Sequence, residues 1–141
     1  MTWLDLAETA AFVKSGSRFG FFPRISNPIE FALKSRVLLL QHNQTKIDVD
    51  ISLGALPFEQ ELIERAIEFT TPELTVQVAT PEDLIISKAV AHRKRDLMDI
   101  DNLVSVHPNL DLARIRYWVG QFAAVLESPE LVSDLEDLLG N

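Results

Sequence analysis

Two aspartates separated by one residue are the first candidates for chemistry, within the segment Lys46–Ile51. Asp48 and Asp50 alternate with Ile47 and Val49, so on a strand both carboxylates point to the same face, roughly 7 Å apart. Carboxylates held on a strand suit Mg²⁺, which takes one or two protein carboxylates plus water and phosphate oxygens. The alternation also fits a solvated polar face without a ligand, although aspartate is disfavoured in strands.

A second candidate combines Lys88 with the basic run Arg93–Arg95 and with the aspartates Asp96 and Asp99. Arginine suits bidentate contacts with phosphate oxygens, so the basic run could clamp a triphosphate. Asp96 and Asp99 are three residues apart and share a helical face, where they could orient the arginines or face a metal. The alternative is a junction between two helices, in which the carboxylates stabilise the N-terminus of the second helix.

The elements that position the first candidate are predicted in the first half of the chain. Arg36–His42 is a β-type run, Asn43 and Gln44 form a turn, and Thr45–Leu53 alternates between apolar and polar residues. This pattern predicts an antiparallel hairpin with one buried face. Upstream, we expect a helix over residues 2–15 with Thr2 as a cap and Gly16 as its end, a short strand or extended loop over 19–24, and an irregular strand or helical turn over 29–34.

The elements that position the second candidate are mainly helical. Thr80-Pro81-Glu82-Asp83 is a helix start, because it combines a hydroxyl cap, a proline in the first turn and an acid three residues after the cap. The predicted elements are a helix from Pro57 to about Phe69, a strand over Leu74–Val78, and helices over Thr80–His92, Asp96–Val104, Leu110–Leu126 and from Ser128 onward.

Strands in the first half and helices in the second predict an α+β fold. We expect a small mixed or antiparallel sheet followed by a helical C-terminal part. The length of 141 residues fits one domain over residues 1–141, with a sheet-rich part at about 18–79 and a helical part at about 80–141.

Composition excludes several classes of protein. The chain is 47% hydrophobic, which argues against disorder, and it has no cysteine, which removes disulfides and cysteine-ligated metals. We expect no membrane span, because no apolar run approaches ~20 residues. The segment Met1–Ala11 has no basic region typical of a signal peptide, so a cytoplasmic location is expected.

The formal net charge of −8 is distributed unevenly. Residues 1–50 carry six basic and five acidic side chains, whereas residues 51–141 carry seven and sixteen. Because binding to duplex nucleic acid depends on neutralising phosphates, this balance argues against a duplex partner. A local basic cluster remains compatible with one phosphate group.

Taken together, these motifs resemble the nucleotidyltransferase superfamily, and within it the AbiEii-type toxins and related small nucleotidyltransferase-like proteins. The resemblance covers roughly residues 20–140. It is carried by Ile47–Gly54, Leu56–Glu59, Thr80–Ile85, Lys88 and Arg93–Ile100.

The resemblance implies a Mg²⁺-dependent transfer of a nucleotide from an NTP, with three acids holding two metal ions. Asp50, with Asp48 as the second candidate, matches the carboxylate of the family's later strand. Lys88 matches the lysine that contacts the nucleotide phosphates. The family's basic-then-acidic helix junction is matched by Arg93, Arg95, Asp96 and Asp99.

One part of the family pattern has no counterpart. The family carries a Gly-Ser or Gly-Gly motif and an Asp-x-Asp pair upstream, but Asp5 is the only aspartate in residues 1–47. We therefore expect that the N-terminal unit of the family is missing, and that two of the three metal ligands are missing with it. The leading hypothesis is a truncated or degenerate nucleotidyltransferase-like protein that binds Mg-NTP weakly.

Two alternatives remain open. The first is an active enzyme that binds Mg-NTP through Asp48, Asp50, Lys88 and Arg93 and transfers a nucleotide to RNA or protein. The second is a non-catalytic interaction module or toxin–antitoxin component. Such a module would use an exposed sheet edge to bind a protein partner or to form a homodimer.

Overall fold

The computed structural model describes residues 6–54 and 56–140, and these adopt an α+β fold, as predicted. The chain divides into two compact units, residues 1–60 and residues 61–141. Within residues 6–54 and 56–140, no helix combines the length and the apolar character that crossing a membrane requires.

The first unit is built around a three-stranded antiparallel sheet with the strand order β1-β2-β3. The predicted hairpin is confirmed, with Leu39 opposite Asp50 and Gln41 opposite Asp48. The elements are α1 (Leu6–Ser17), β1 (Phe21–Pro23), α2 (Pro28–Ser35), β2 (Val37–His42), β3 (Asp48–Ser52) and α3 (Pro57–Glu64), and the unit boundary falls within α3.

One face of this sheet forms the core of the first unit. Leu38, Leu40 and Leu53 are buried together with Ala32 of α2. Helix α1 also packs against β1. The aspartates of β3 lie on the opposite face, because the side chains of a strand alternate between its two sides.

Two expectations for the first 35 residues are decided by the structure. Of the two alternatives predicted for residues 29–34, the helical one is confirmed, because Pro28–Ser35 forms helix α2 with Pro28 in its first turn, where its fixed φ favours helix initiation. Helix α1 continues through Gly16 to Ser17, and Gly20, with φ of 83°, occupies the left-handed turn after it. The proposed cap Thr2 lies outside the described residues.

The second unit contains the end of α3, a two-stranded antiparallel hairpin and the helices that follow it. Helix α4 packs against α5 and α6, and α7 packs against α5 and α6. The predicted cap is confirmed, because the Thr80 hydroxyl accepts a hydrogen bond from the backbone N–H of Asp83 at 3.2 Å. The elements are β4 (Ile67–Thr70), β5 (Thr75–Val78), α4 (Pro81–Ala91), α5 (Lys94–Val106), α6 (Leu112–Leu126) and α7 (Glu130–Leu139).

The predicted helix from Pro57 to Phe69 is too long. Helix α3 ends at Glu64, and Ile67, Phe69 and Thr70 belong to a strand that pairs with Thr75–Val78. The apolar residues at 62, 63, 66 and 67 have helical spacing, whereas residues 67–70 alternate between apolar and polar as a strand does. The branched and aromatic side chains that follow favour the strand once a pairing partner is present.

A buried carboxylate organises the second unit. The Asp83 side chain is fully buried and accepts hydrogen bonds from Arg114 Nε at 2.7 Å and from Arg65 Nε at 3.2 Å. Arg114 also donates to Glu61 at 2.6 Å. Burial lowers the pKa of Arg114, but the hydrogen bonds to Glu61 and Asp83 outweigh it and raise the pKa above its ordinary value. Sequence analysis assigned Asp83 only to a helix start.

Candidate functional site

The β3 carboxylates lie on the solvent-facing side of the first unit's sheet. Their side chains are 51% exposed for Asp48 and 61% exposed for Asp50. The β2 residues opposite them are Gln41 and Leu39, so both carboxylates project from the same face, as the alternation predicted.

Arg24, which sequence analysis did not single out, binds both carboxylates. Its backbone N–H donates to the carbonyl oxygen of Leu39 at 3.1 Å. Because Leu39 lies opposite Asp50, the residues Arg24, Leu39 and Asp50 form one row across the three strands. The guanidinium then crosses β2 and donates through Nη1 to Asp48 at 3.1 Å and through Nη2 to Asp50. The Gln41 amide donates to the other oxygen of Asp48 at 2.8 Å. The sequence feature that could have identified Arg24 is its position directly after the short strand β1.

A shallow concavity of about 830 Å³ lies on the same side of this sheet. Its lining includes Phe22, Arg24, Leu39, Gln41 and Asn43. The concavity therefore combines an aromatic ring, two amides and a guanidinium that is already paired.

The second candidate site forms where α4 meets α5. Lys88 is 22% exposed and its ammonium donates to Asp99 at 2.6 Å, with Asp96 at 3.7 Å. Leu84 and Val106 line a groove of about 300 Å³ beside Lys88 and Asp99. The lysine thus has two carboxylate partners before any ligand arrives.

Arg93 and Asp96 close the N-terminus of α5. Arg93 Nε donates to Asp96 at 2.6 Å, and the backbone N–H of Arg93 donates to the same carboxylate at 3.3 Å. The side-chain hydrogen bond from Arg93 lowers the pKa of Asp96, against burial, which raises it. The same hydrogen bond raises the pKa of Arg93. The predicted basic elbow is in part helical, because Lys94 and Arg95 belong to the first turn of α5.

The structure therefore collects the predicted residues into two clusters. Asp48 and Asp50 belong to the first unit and share Arg24. In the second unit, Lys88, Asp96 and Asp99 form one ion-pair cluster, which Arg93 joins through Asp96. Arg95 lies one residue before Asp96 and is exposed.

The arrangement of donors does not fit a two-metal centre. In the described part of the chain, no group of three or more His, Asp or Glu side chains lies close enough to hold a metal ion. Two-metal catalysis requires several carboxylates around the ions, whereas the β3 pair contacts a guanidinium. The assignment of Asp48 and Asp50 as metal ligands stays a prediction.

An α+β fold, a carboxylate-bearing strand and a later lysine followed by a basic-then-acidic helix start are the features in which this chain resembles nucleotidyltransferases. A family model described as "Nucleotidyl transferase AbiEii toxin, Type IV TA system" matches residues 8–137. The chain therefore belongs to the AbiEii nucleotidyltransferase toxin family, as its motifs suggested. No curated protein matches the chain.

Proposed function

We propose that this chain is a degenerate nucleotidyltransferase-like protein that binds a nucleoside triphosphate weakly and does not transfer nucleotides efficiently. One contrast carries the proposal. Basic side chains gather at the start of α5, while no three acidic ligands gather in residues 6–54 and 56–140. The described residues thus include groups that suit phosphate binding but not the set of metal ligands that suits nucleotide transfer.

The start of α5 suits a polyphosphate for two reasons. The positive end of its helix dipole favours an anion. Three consecutive basic residues, Arg93, Lys94 and Arg95, crowd this positive end, where cations are unfavourable unless an anion offsets them. Asp96 offsets Arg93, while Lys94 and Arg95 have no ion pair within the described residues.

The expected binding is weak because Lys88 is already engaged. A phosphate must compete with Asp99, whose carboxylate lies 2.6 Å from the ammonium. Asp96 adds a second negative charge at 3.7 Å. Bound Mg²⁺ would be held by the triphosphate oxygens rather than by β3, and on the nucleotide it would neutralise phosphate charge.

Calorimetric titration with each of the four NTPs in Mg²⁺ tests the proposal. We expect weak saturable binding by the natural chain and a loss of about tenfold or more in Lys88→Met, because charge-assisted contacts contribute about 1.5–3 kcal/mol. Asp99→Asn should bind more tightly, since it releases the lysine from one carboxylate. Lys34→Met is the matched control, because Lys34 is an exposed lysine of the first unit.

Three results would contradict the proposal. An absence of heat with all four NTPs would rule out nucleotide binding by the chain. Equal affinities for Lys88→Met and Lys34→Met would rule out a binding site where α4 meets α5. Rapid nucleotide transfer by the purified chain would show that the protein is not degenerate.

A second candidate function, an interaction module, is favoured by the β4–β5 hairpin. Ile67 pairs with Val78 and Phe69 pairs with Val76, so the four apolar side chains share one face. These side chains are between 37% and 56% exposed. A two-stranded hairpin is marginally stable by itself, so we propose that a second copy of the chain covers this face.

Sedimentation velocity tests this second candidate. We expect a dimer that Phe69→Lys dissociates and that Gln77→Lys, on the other face of the hairpin, leaves intact. A natural chain that remains monomeric at high concentration would refute the dimer.

A further inference from the structure

We infer that Arg24 is a built-in cation for the β3 carboxylate pair, and that it takes the place a divalent ion would need there. Arg24 would then govern how the natural chain responds to metal ions, whether or not the chain binds a nucleotide.

The sheet fixes the arginine in register with the carboxylates. Arg24 follows β1, and its backbone N–H bonds to Leu39, the direct partner of Asp50. The guanidinium therefore projects along the same row, across β2, and reaches both Asp48 and Asp50. The Arg24 side chain is 27% exposed, whereas the carboxylates are more than half exposed.

The shape of the guanidinium explains why it suits this pair. Carboxylates on residues i and i+2 of a strand start roughly 7 Å apart. A guanidinium is a planar fork whose separate N–H groups can serve two acceptors at once. Mg²⁺ instead requires oxygens at about 2.0–2.1 Å in near-ideal octahedral geometry, so both side chains would have to converge on a much smaller centre.

The charges around the pair also oppose a second cation. Asp48 uses one oxygen for Arg24 and the other for the Gln41 amide at 2.8 Å. A divalent ion would have to displace these donors and then lie beside the guanidinium charge. Removing the arginine charge should therefore leave Asp48 and Asp50 without a cation partner, so that a metal ion can bind between them.

Manganese binding, followed by the loss of the free-ion electron paramagnetic resonance signal, tests this role. We expect no binding by the natural chain that depends on Asp50. We expect Arg24→Met to bind Mn²⁺ at least about tenfold more tightly than the natural chain does, which is equivalent to about 1.4 kcal/mol. Arg18→Met is the matched control, since it removes one positive charge from an exposed arginine in the same unit.

Two further comparisons make the test decisive. Arg24→Met combined with Asp50→Asn should lose the gain, which would locate the new ion at β3. Comparison of the natural chain with Asp50→Asn needs no change at Arg24, so it remains valid if Arg24→Met does not fold. Mn²⁺ binding by the natural chain that Asp50→Asn weakens tenfold would overturn the inference, as would equal affinities of folded Arg24→Met and Arg18→Met.

Discussion

Replacing Asp83 by alanine tests whether the buried ion-pair network organises the second unit. The Asp83 carboxylate is fully buried and contacts Arg114 and Arg65. Arg114 is only 13% exposed, and its Nη2 atom is buried without a hydrogen-bond partner in the described part of the chain. Loss of Asp83 therefore leaves the Arg114 guanidinium without one of its two carboxylate partners, at a place that water cannot easily reach.

The expected cost follows from the environments of the two arginines. Breaking a buried pair by removing one partner costs about 3–5 kcal/mol. Glu61 still accepts a hydrogen bond from Arg114 at 2.6 Å, so we expect a cost at the lower end of this range. The Arg65 side chain is 41% exposed, so its pair adds about 0–1 kcal/mol. We therefore expect Asp83→Ala to lower the free energy of unfolding by about 3 kcal/mol.

Urea unfolding followed by Trp118 fluorescence measures this cost. Trp118 lies in α6 of the second unit, and Trp3→Phe removes the other tryptophan of the chain. Asp101→Ala, which removes an exposed carboxylate from α5, should change stability by less than about 0.5 kcal/mol. A loss of less than about 1 kcal/mol in Asp83→Ala, at an unchanged denaturant slope, would show that the buried carboxylate does not organise the second unit.

Further predictions concern Asp96, Gly20 and Gly120. Because the pKa of Asp96 is lowered on folding, its contribution to stability is complete above its unfolded pKa of about 3.9 and is lost as pH falls through the lower folded value. The difference in urea midpoint between the natural chain and Asp96→Asn should therefore shrink from pH 7 to pH 3, and a constant difference would contradict this. Gly20→Ala should destabilise the first unit by about 1–2 kcal/mol, measured by circular dichroism, since φ is 83° and a Cβ atom would lie 3.0 Å from His42. Gly120 lies in α6, and beyond its two chain neighbours and the helix's own backbone no atom lies within 4 Å of an added Cβ; Gly120→Ala should therefore stabilise by about 0.5–1 kcal/mol, and a loss of stability would count against the helix-propensity argument.

The sequence predicted the elements whose signals are local. The hairpin β2–β3 follows from its alternation, and α4 follows from the Thr80 cap and Pro81. The local signal was ambiguous at Ile67, where the helical spacing that starts in α3 ends and a short alternation of apolar and polar residues begins. Only the pairing of β4 with β5, which separates residues by up to eleven positions, decides between them.

The partners of charged side chains could not be read from local signals. Arg24 lies 24 and 26 residues before its two aspartates, and Asp83 lies 31 residues before Arg114. Each contact depends on which strand or helix lies beside another, and periodicity does not contain that information. The sequence did identify Asp48 and Asp50 as a same-face pair, but it did not reveal the cation between them.

Three cations of the described residues each contact two carboxylates. They are Arg24, Lys88 and Arg114, in a chain with 13 basic and 21 acidic side chains. Their burial separates their roles. Arg114 is 13% exposed and stabilises the fold, whereas Arg24 and Lys88 are 27% and 22% exposed and remain within reach of solvent. The phosphate proposed to bind at the start of α5 would therefore have to displace a carboxylate at Lys88, or bind first at Lys94 and Arg95, which have no ion pair in the described part of the chain.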